Sequence, residues 1–238
     1  MKIAIIGYGK MGKMIESIAR ERGDEIGVII DKDNPEDFDS EAFASCDVAI
    51  EFTSPSTAEA NCMRALERGV KVVSGSTGWS DRLDVIKNYC DSHQEAAFLW
   101  SSNFSIGVNL FMAINAYATR LIERFGGYTP HMTEVHHIHK VDHPSGTAIT
   151  LAERIIANSG HLKGWSESEG DDSTIVIDHE RRGEVPGIHS VTWESRADSI
   201  TLEHSAKSRE GFAMGAVMAA EWLAGQTGYR SIEDFLRI

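Results

Sequence analysis

Short apolar runs recur through the first hundred residues: Ile3–Ile6, Ile26–Ile30, Val48–Phe52, Val70–Val73 and Ala97–Trp100. They are rich in β-branched and aromatic residues, and near-continuous runs of this kind suit strands buried on both faces of a parallel sheet. Amphipathic stretches lie between them. Met11, Ile15, Ile18, Ala19 and Arg22 follow helical spacing, and Gly23 stands where that helix ends. Thr57–Arg68 and Asp81–Ser92 supply later crossovers. Strand–helix–strand repetition predicts an α/β fold with a Rossmann-type, doubly wound parallel sheet.

After Asn103 the rhythm changes. A long helical pattern runs from Ile106 to Phe125, and a strand follows at Met132–His137. A second helix is opened by Pro144-Ser145-Gly146-Thr147 and runs to about Asn158, and a polar, glycine-bearing loop spans His161–Asp172. Three alternating strands, Thr174–Glu180, Ile188–Glu194 and Ser199–Ser205, come without helices between them, before a last helix at Arg209–Gly225. Consecutive strands of this kind predict a second, α+β domain with a mixed or antiparallel sheet.

Gly7-Tyr8-Gly9-Lys10-Met11-Gly12 is a G-x-G-x-x-G between the first strand and the first helix. In such a motif the first glycine makes the tight turn, the second lets backbone amides approach a pyrophosphate, and the third permits close helix–strand packing. The helix N-terminus adds unpaired N–H groups for the phosphates. Asp31 ends the second strand, about 20 residues past the last glycine, where an acid hydrogen-bonds ribose hydroxyls. Lys32 follows it and suits the 2′-phosphate of NADP, so the cofactor is expected to be NADH, NADPH or both. Gly75-Ser76-Thr77-Gly78 follows the fourth strand, where the carboxyl ends of a Rossmann sheet face the cofactor.

Composition changes the picture in one respect. Asp and Glu number 36 against 23 Lys and Arg, a formal charge of −13. So acidic a surface disfavours nucleic acid and anionic membranes, and an anionic substrate needs a local cluster of cations. Five of the ten histidines lie between His131 and His143, within Glu134-Val135-His136-His137-Ile138-His139-Lys140-Val141-Asp142-His143-Pro144-Ser145-Gly146-Thr147. On a strand, His136 and Ile138 face one way and His137 and His139 the other, which weighs against a metal cage, and no metal is expected. A histidine near its ordinary pKa donates protons at neutral pH. Lys140 offers a charge for a carboxylate, and Ser145-Gly146-Thr147 has the form of a helix N-cap and first turn, a second anion site. One proton donor and two carboxylate sites describe a small dicarboxylate substrate. Three irregularly spaced cysteines, Cys46, Cys62 and Cys90, exclude a disulfide framework and fit a cytoplasmic setting.

The His-rich segment closely resembles the E-x-H-H-x-H-K-x-D-x-P-S-G-T-A signature of the dihydrodipicolinate reductase family. The resemblance extends to the glycine motif, Gly75–Gly78, Ser101-Ser102-Asn103-Phe104-Ser105-Ile106-Gly107-Val108-Asn109, Arg182-Gly183-Glu184 with Gly187 and His189, and Ser208–Ala213. It implies NAD(P)H-dependent reduction of a cyclic imine in lysine and diaminopimelate synthesis. His136 would be the general acid, and Lys140 its cationic partner, as proton donor or carboxylate anchor. His137, Gly146 and Thr147 would bind substrate. Gly7, Tyr8, Gly9, Lys10, Met11, Gly12, Asp31, Lys32, Gly75, Ser76, Thr77, Ser101, Ser102, Asn103 and Phe104 would form the cofactor site. The family also implies a dinucleotide-binding domain of residues 1–104 and 209–238, a substrate-binding and oligomerisation domain of residues 105–208, and a homotetramer. The chain departs from the commoner pattern in a tighter glycine loop, in Ile138 where many members have Arg, and in Ala197-Asp198 where Gly-Glu is frequent. A rival, an aldehyde dehydrogenase with a cysteine nucleophile, would need an activated thiol, and none of the three cysteines has a basic neighbour in sequence.

Overall fold

The computed structural model describes residues 1–238. Two compact units emerge: residues 1–106 with 210–238, and residues 107–209.

The first unit is built on strands β1 (Lys2–Ile6), β2 (Glu25–Ile30), β3 (Val48–Glu51), β4 (Lys71–Ser74), β5 (Ala97–Trp100) and a strand near the C-terminus, Gly228–Arg230, which is β11 in chain order. They form a sheet in the order β11-β5-β4-β3-β1-β2, parallel throughout. Alternation along each strand feeds two cores. Ile3, Ile5, Ile50 and Leu99 pack on helices α1 (Lys10–Glu21) and α7 (Glu210–Leu223). Ala4, Ile6, Ala49 and Phe98 belong to the opposite core, with α3 (Ala58–Glu67) and α4 (Leu83–Ser92). Burial on both faces explains why these strands show no polar alternation. Helix α1 ends as its sequence predicts: Gly23 takes φ 91°, its N–H donates to Arg20, and the N–H of Asp24 reaches Ala19, the bond pair that satisfies the last carbonyls of a helix.

In the second unit, β6 (Thr129–His136), β7 (Gly164–Ser166), β8 (Thr174–Arg181), β9 (Gly187–Glu194) and β10 (Ser199–Ala206) form a sheet in the order β10-β9-β6-β8-β7. The β6–β8 and β7–β8 pairs are parallel, whereas β6–β9 and β9–β10 are antiparallel. One face packs Met132, Ile175, Ile177, Val191 and Trp193 against Phe111 and Met112 of α5 (Ile106–Phe125) and Leu151, Ala152 and Ile155 of α6 (Gly146–Ala157).

Four short elements differ from the sequence reading. The polar segment 161–172 contains β7, and the C-terminal tail holds β11 and α8 (Ile232–Leu236). The helix α2 (Glu41–Ala44) also forms between β2 and β3. The two strands are three residues long, too short to show a period.

Leu151, fully buried beneath α6, is the natural probe of this second core. Leu151→Ala is expected to cost about 2–5 kcal/mol, read as a lower denaturation midpoint at unchanged denaturant slope.

Candidate active site

In the first unit the glycine motif makes a tight turn. A Cβ on Gly7 would stand 2.2 Å from the Phe52 carbonyl oxygen, and one on Gly12 would stand 2.2 Å from the carbonyl of Gly7, whereas at Gly9 nothing lies within 4 Å. The first and third glycines are therefore enforced by packing, and the second leaves its space open at the start of α1, where amides meet a pyrophosphate. A cavity of about 540 Å³ adjoins it, lined by Gly7, Tyr8, Gly9, Asp31, Lys32 and, beyond the sequence expectation, Phe52, Thr53, Ser54, Thr57 and Asn61. An anionic dinucleotide fits this combination of open backbone, an acid at the end of β2 and an exposed lysine. Lys10 is exposed and Met11 half-buried.

The remaining expected cofactor residues brace the same end of the sheet. Ser76 is buried and its hydroxyl donates to Glu51 at 2.7 Å while accepting the Thr53 N–H at 2.8 Å. Glu51 is itself fully buried and also accepts from Ser74 and from the amide and hydroxyl of Thr53. Trp79 and Trp100 both donate their indole N–H to the Ser76 carbonyl at 2.8 Å. Ser101 ties down the backbone of Asn103. Thr77 and Ser102 are exposed, while Phe104 is a core residue, 2 % exposed.

In the second unit, register gathers the chemistry at one end of the sheet. His136 is paired with Arg181, and Glu134 with both His179 and His189. Glu134 is fully buried. Its carboxylate accepts the Ser145 N–H at 2.9 Å and pairs with the Arg181 guanidinium at 3.2 Å. It lies 3.6 Å from His136 Nδ1 and 3.8 Å from His189 Nε2. Burial opposes its ionisation, but the hydroxyl and amide of Ser145, His136 and Arg181 together outweigh it and hold its carboxyl below the usual range.

His136 is nearly buried at the end of β6. Its Nδ1 has no hydrogen-bond partner, and a Cβ on Gly187 would approach its Nε2 to 3.1 Å. Burial pulls its pKa down, against the pull of Glu134 upward; Lys140, Arg181 and His137 add to the lowering. His189 stands edge-on to His136 at 5.1 Å between ring centroids and is 3.0 Å from the Ser145 hydroxyl. Burial and His136 push its pKa down to about 4.

The strand ends at His136, so the alternation expected through His139 stops there. Residues 137–145 form a loop fastened chiefly by Arg181, which donates to the carbonyls of Lys140 and Asp142 as well as to Glu134. Lys140 chelates both oxygens of Asp142 at 2.7 and 2.8 Å. His137 is half-buried, with a buried Nδ1 that has no partner. Ser145 is the N-cap of α6, accepting the Ala148 N–H. Gly146 and Thr147 begin that helix, Gly146 with open space where a side chain would stand. Glu134, Arg181 and His189 had no assigned role in the sequence reading. Glu134 is two residues from His136 on β6, and register across three strands brings Arg181 and His189 to them.

These units define the class of NAD(P)H-dependent oxidoreductases with a Rossmann-type nucleotide-binding unit. The family models of dihydrodipicolinate reductase match this chain on both sides of the unit boundary, the N-terminus model over residues 1–104 and the C-terminus model over residues 107–236. A 4-hydroxy-tetrahydrodipicolinate reductase of Christiangramia forsetii is 42% identical over 236 residues, covering 99% of this chain and 98% of its own. One of Archaeoglobus fulgidus is 34% identical, covering 99% of this chain and all of its own. Among solved structures, a dipicolinate-bound dihydrodipicolinate reductase from Paenisporosarcina sp. TG-14 superposes with TM-score 0.80 at 20% identity, over 98% of both chains. The chain belongs to the dihydrodipicolinate reductase family.

His189 supplies a stability test. A histidine whose pKa falls to about 4 in the fold from an ordinary 6.5 binds its proton more readily when unfolded. Its neutral form therefore stabilises the fold above pH 6.5, and that contribution is lost as pH falls from 6.5 toward 4. The loss is on the order of 3 kcal/mol. In His189→Gln the fall in denaturation midpoint across that window should be shallower than in the parent. An equal slope would show that His189 does not carry it.

Proposed function

We propose that the chain is a 4-hydroxy-tetrahydrodipicolinate reductase acting in lysine and diaminopimelate synthesis, with His136 as the proton donor. The observation that carries the assignment of the proton is the nearly buried imidazole of His136 beside the ionised, fully buried Glu134.

NADH or NADPH supplies a hydride to the cyclic imine left when the hydroxylated substrate loses water. Gly7, Gly9 and the start of α1 receive its pyrophosphate; Asp31 takes ribose hydroxyls, and Lys32 meets a 2′-phosphate where one is present. Reduction leaves an enamine, which must gain a proton at carbon. Nδ1 of His136 lies on the Glu134 side, so Nε2 is the nitrogen that gives the proton, and Gly187 keeps side-chain atoms away from it. Glu134 stabilises the imidazolium before transfer. Lys140 leaves Asp142 for one substrate carboxylate, and the N-terminus of α6 at Gly146 and Thr147, with His137, receives the other. A proton from bulk water restores the imidazolium of His136 before the next cycle.

Several features support this reading over a cysteine-dependent aldehyde dehydrogenase. Burial pushes the Cys46 and Cys90 thiols up to about 11 and raises Cys62 as well, the opposite of an activated nucleophile. The proposal includes residues 105–208 as the substrate-binding and oligomerisation domain, a homotetramer, and a cytoplasmic location. The outer edge of β10 has no strand partner within the chain and offers backbone groups to a second copy.

The direct assay adds the condensation product of pyruvate and aspartate semialdehyde and follows loss of the reduced-nicotinamide absorbance. His136→Gln should lower turnover by about 10²–10⁴-fold while leaving the cofactor dissociation constant unchanged. Full turnover in that variant would remove His136 from the proton transfer. The pH dependence adds a second test. The donor must be protonated, and its pKa is lowered, so kcat/KM of the free enzyme should fall as pH rises, with the midpoint below the ordinary imidazole value. Glu134→Gln removes the carboxylate that raises that pKa, so the falling limb should move to lower pH. A limb that stays in place would separate Glu134 from the donor.

A further inference from the structure

A second cluster of ligating side chains lies outside the site just described. His143 precedes Pro144 in the loop before α6, Glu167 follows the end of β7, and His179 is on β8. Nδ1 of His143 is 2.6 Å from Glu167 Oε1, and Nδ1 of His179 is 3.5 Å from the same oxygen. The two imidazoles stack, 4.2 Å between centroids and 14° apart in plane. Each presents the same nitrogen to one carboxylate, and the three ligand atoms lie within 4.8 Å of one another.

We propose that His143, Glu167 and His179 form a site for a divalent transition-metal ion, zinc by its ligand set, and that the ion clips the 137–145 loop to β7 and β8. Four-coordinate zinc with bonds of 2.0–2.2 Å spaces its ligand atoms by about 3.3 Å. The two nitrogen–oxygen separations, 2.6 and 3.5 Å, bracket that spacing, and rotation of the exposed rings out of their stack turns both in-plane lone pairs onto one ion. Two imidazoles and one carboxylate are a donor set of zinc's preference, with solvent completing the shell on the exposed side. Placement follows from the fold: parallel pairing of Ser166 with Val176 sets the end of β7 beside β8.

Charge also favours this cluster over the buried Glu134–His136–His189 set, whose ligand atoms are comparably close. Glu134 is already engaged by Arg181 and by the Ser145 amide, and a neighbouring guanidinium repels a cation. The contacts of Glu167 are to the two imidazoles alone, so no guanidinium or ammonium is paired with it to compete with a cation. A partly exposed His–Glu pair contributes little to stability by itself. The inference is independent of the reaction proposed above.

The test uses the full chain, purified without a metal-binding tag and stripped by chelator. Zn²⁺ is titrated by calorimetry, and Co²⁺ by the visible absorption of its bound form. The expected result is one saturable ion per chain and a rise in melting temperature with Zn²⁺. Glu167→Gln and His179→Gln should each weaken binding by at least about tenfold and abolish the rise, while His136→Gln binds as the parent does. Absence of saturable binding overturns the proposal. So does binding that survives both the Glu167 and His179 changes, or binding lost in His136→Gln, which would place the ion in the buried set.

Discussion

A carboxylate held without water at the centre of the second unit sets the terms for everything around it. Removing Glu134 from solvent costs several kcal/mol unless its oxygens are engaged, and the fold engages them with a guanidinium from β8 and an amide from the loop before α6. Because those partners come from separate elements, satisfying one charge brings the loop, the helix start and two strands to a common point. His136 and His189 then sit within about 4 Å of that charge, where each feels it more strongly than either would in water. Arg181 extends the arrangement outward through its two carbonyl contacts. The geometry of His136 and the position of the 137–145 loop are thus one problem with one solution.

The first unit solves a related problem with different chemistry. Glu51 is as deeply buried as Glu134, yet its donors are hydroxyls and an amide, from Thr53, Ser74 and Ser76. Hydroxyls rotate to suit an acceptor, so this acid ties the loop after β3 to the loop after β4 without a cationic partner. The two tryptophans that share the Ser76 carbonyl fix the same loop from its other side. The two acids thus differ in their partners: hydroxyls and an amide for Glu51, a guanidinium and an amide for Glu134.

Much of this was legible in the residues, for identifiable reasons. Strands buried on both faces announce themselves as unbroken apolar runs, and Gly7, Gly9 and Gly12 form a compact motif between a strand and a helix, although the atom that crowds Gly7 is the distant Phe52 carbonyl. His136 and Lys140 stood out as candidates because the segment from Glu134 to Thr147 is a dense local pattern. Arg181 and His189 were not, because their closeness to His136 depends on how β6 aligns with β8 and β9, and cross-strand register has no local signature. Phe52, Thr57 and Asn61 reach the cofactor pocket for the same reason, through adjacency of sheet ends. Alternation extrapolated past His136 failed because the Arg181 contacts draw the following residues out of the sheet.

The first unit is interrupted in sequence by the whole of the second. Helix α7, which covers one core of the parallel sheet with Ala213, Ala216, Val217 and Ala220, is made only after residues 107–209 have been synthesised, and β11 adds to the sheet later still. During translation the nested unit has all of its strands before its host has a complete hydrophobic layer. The earliest-made portion of the polypeptide is therefore the last to reach a finished core, and for that interval one face of its β-sheet depends on quality control in the cell rather than on its own packing.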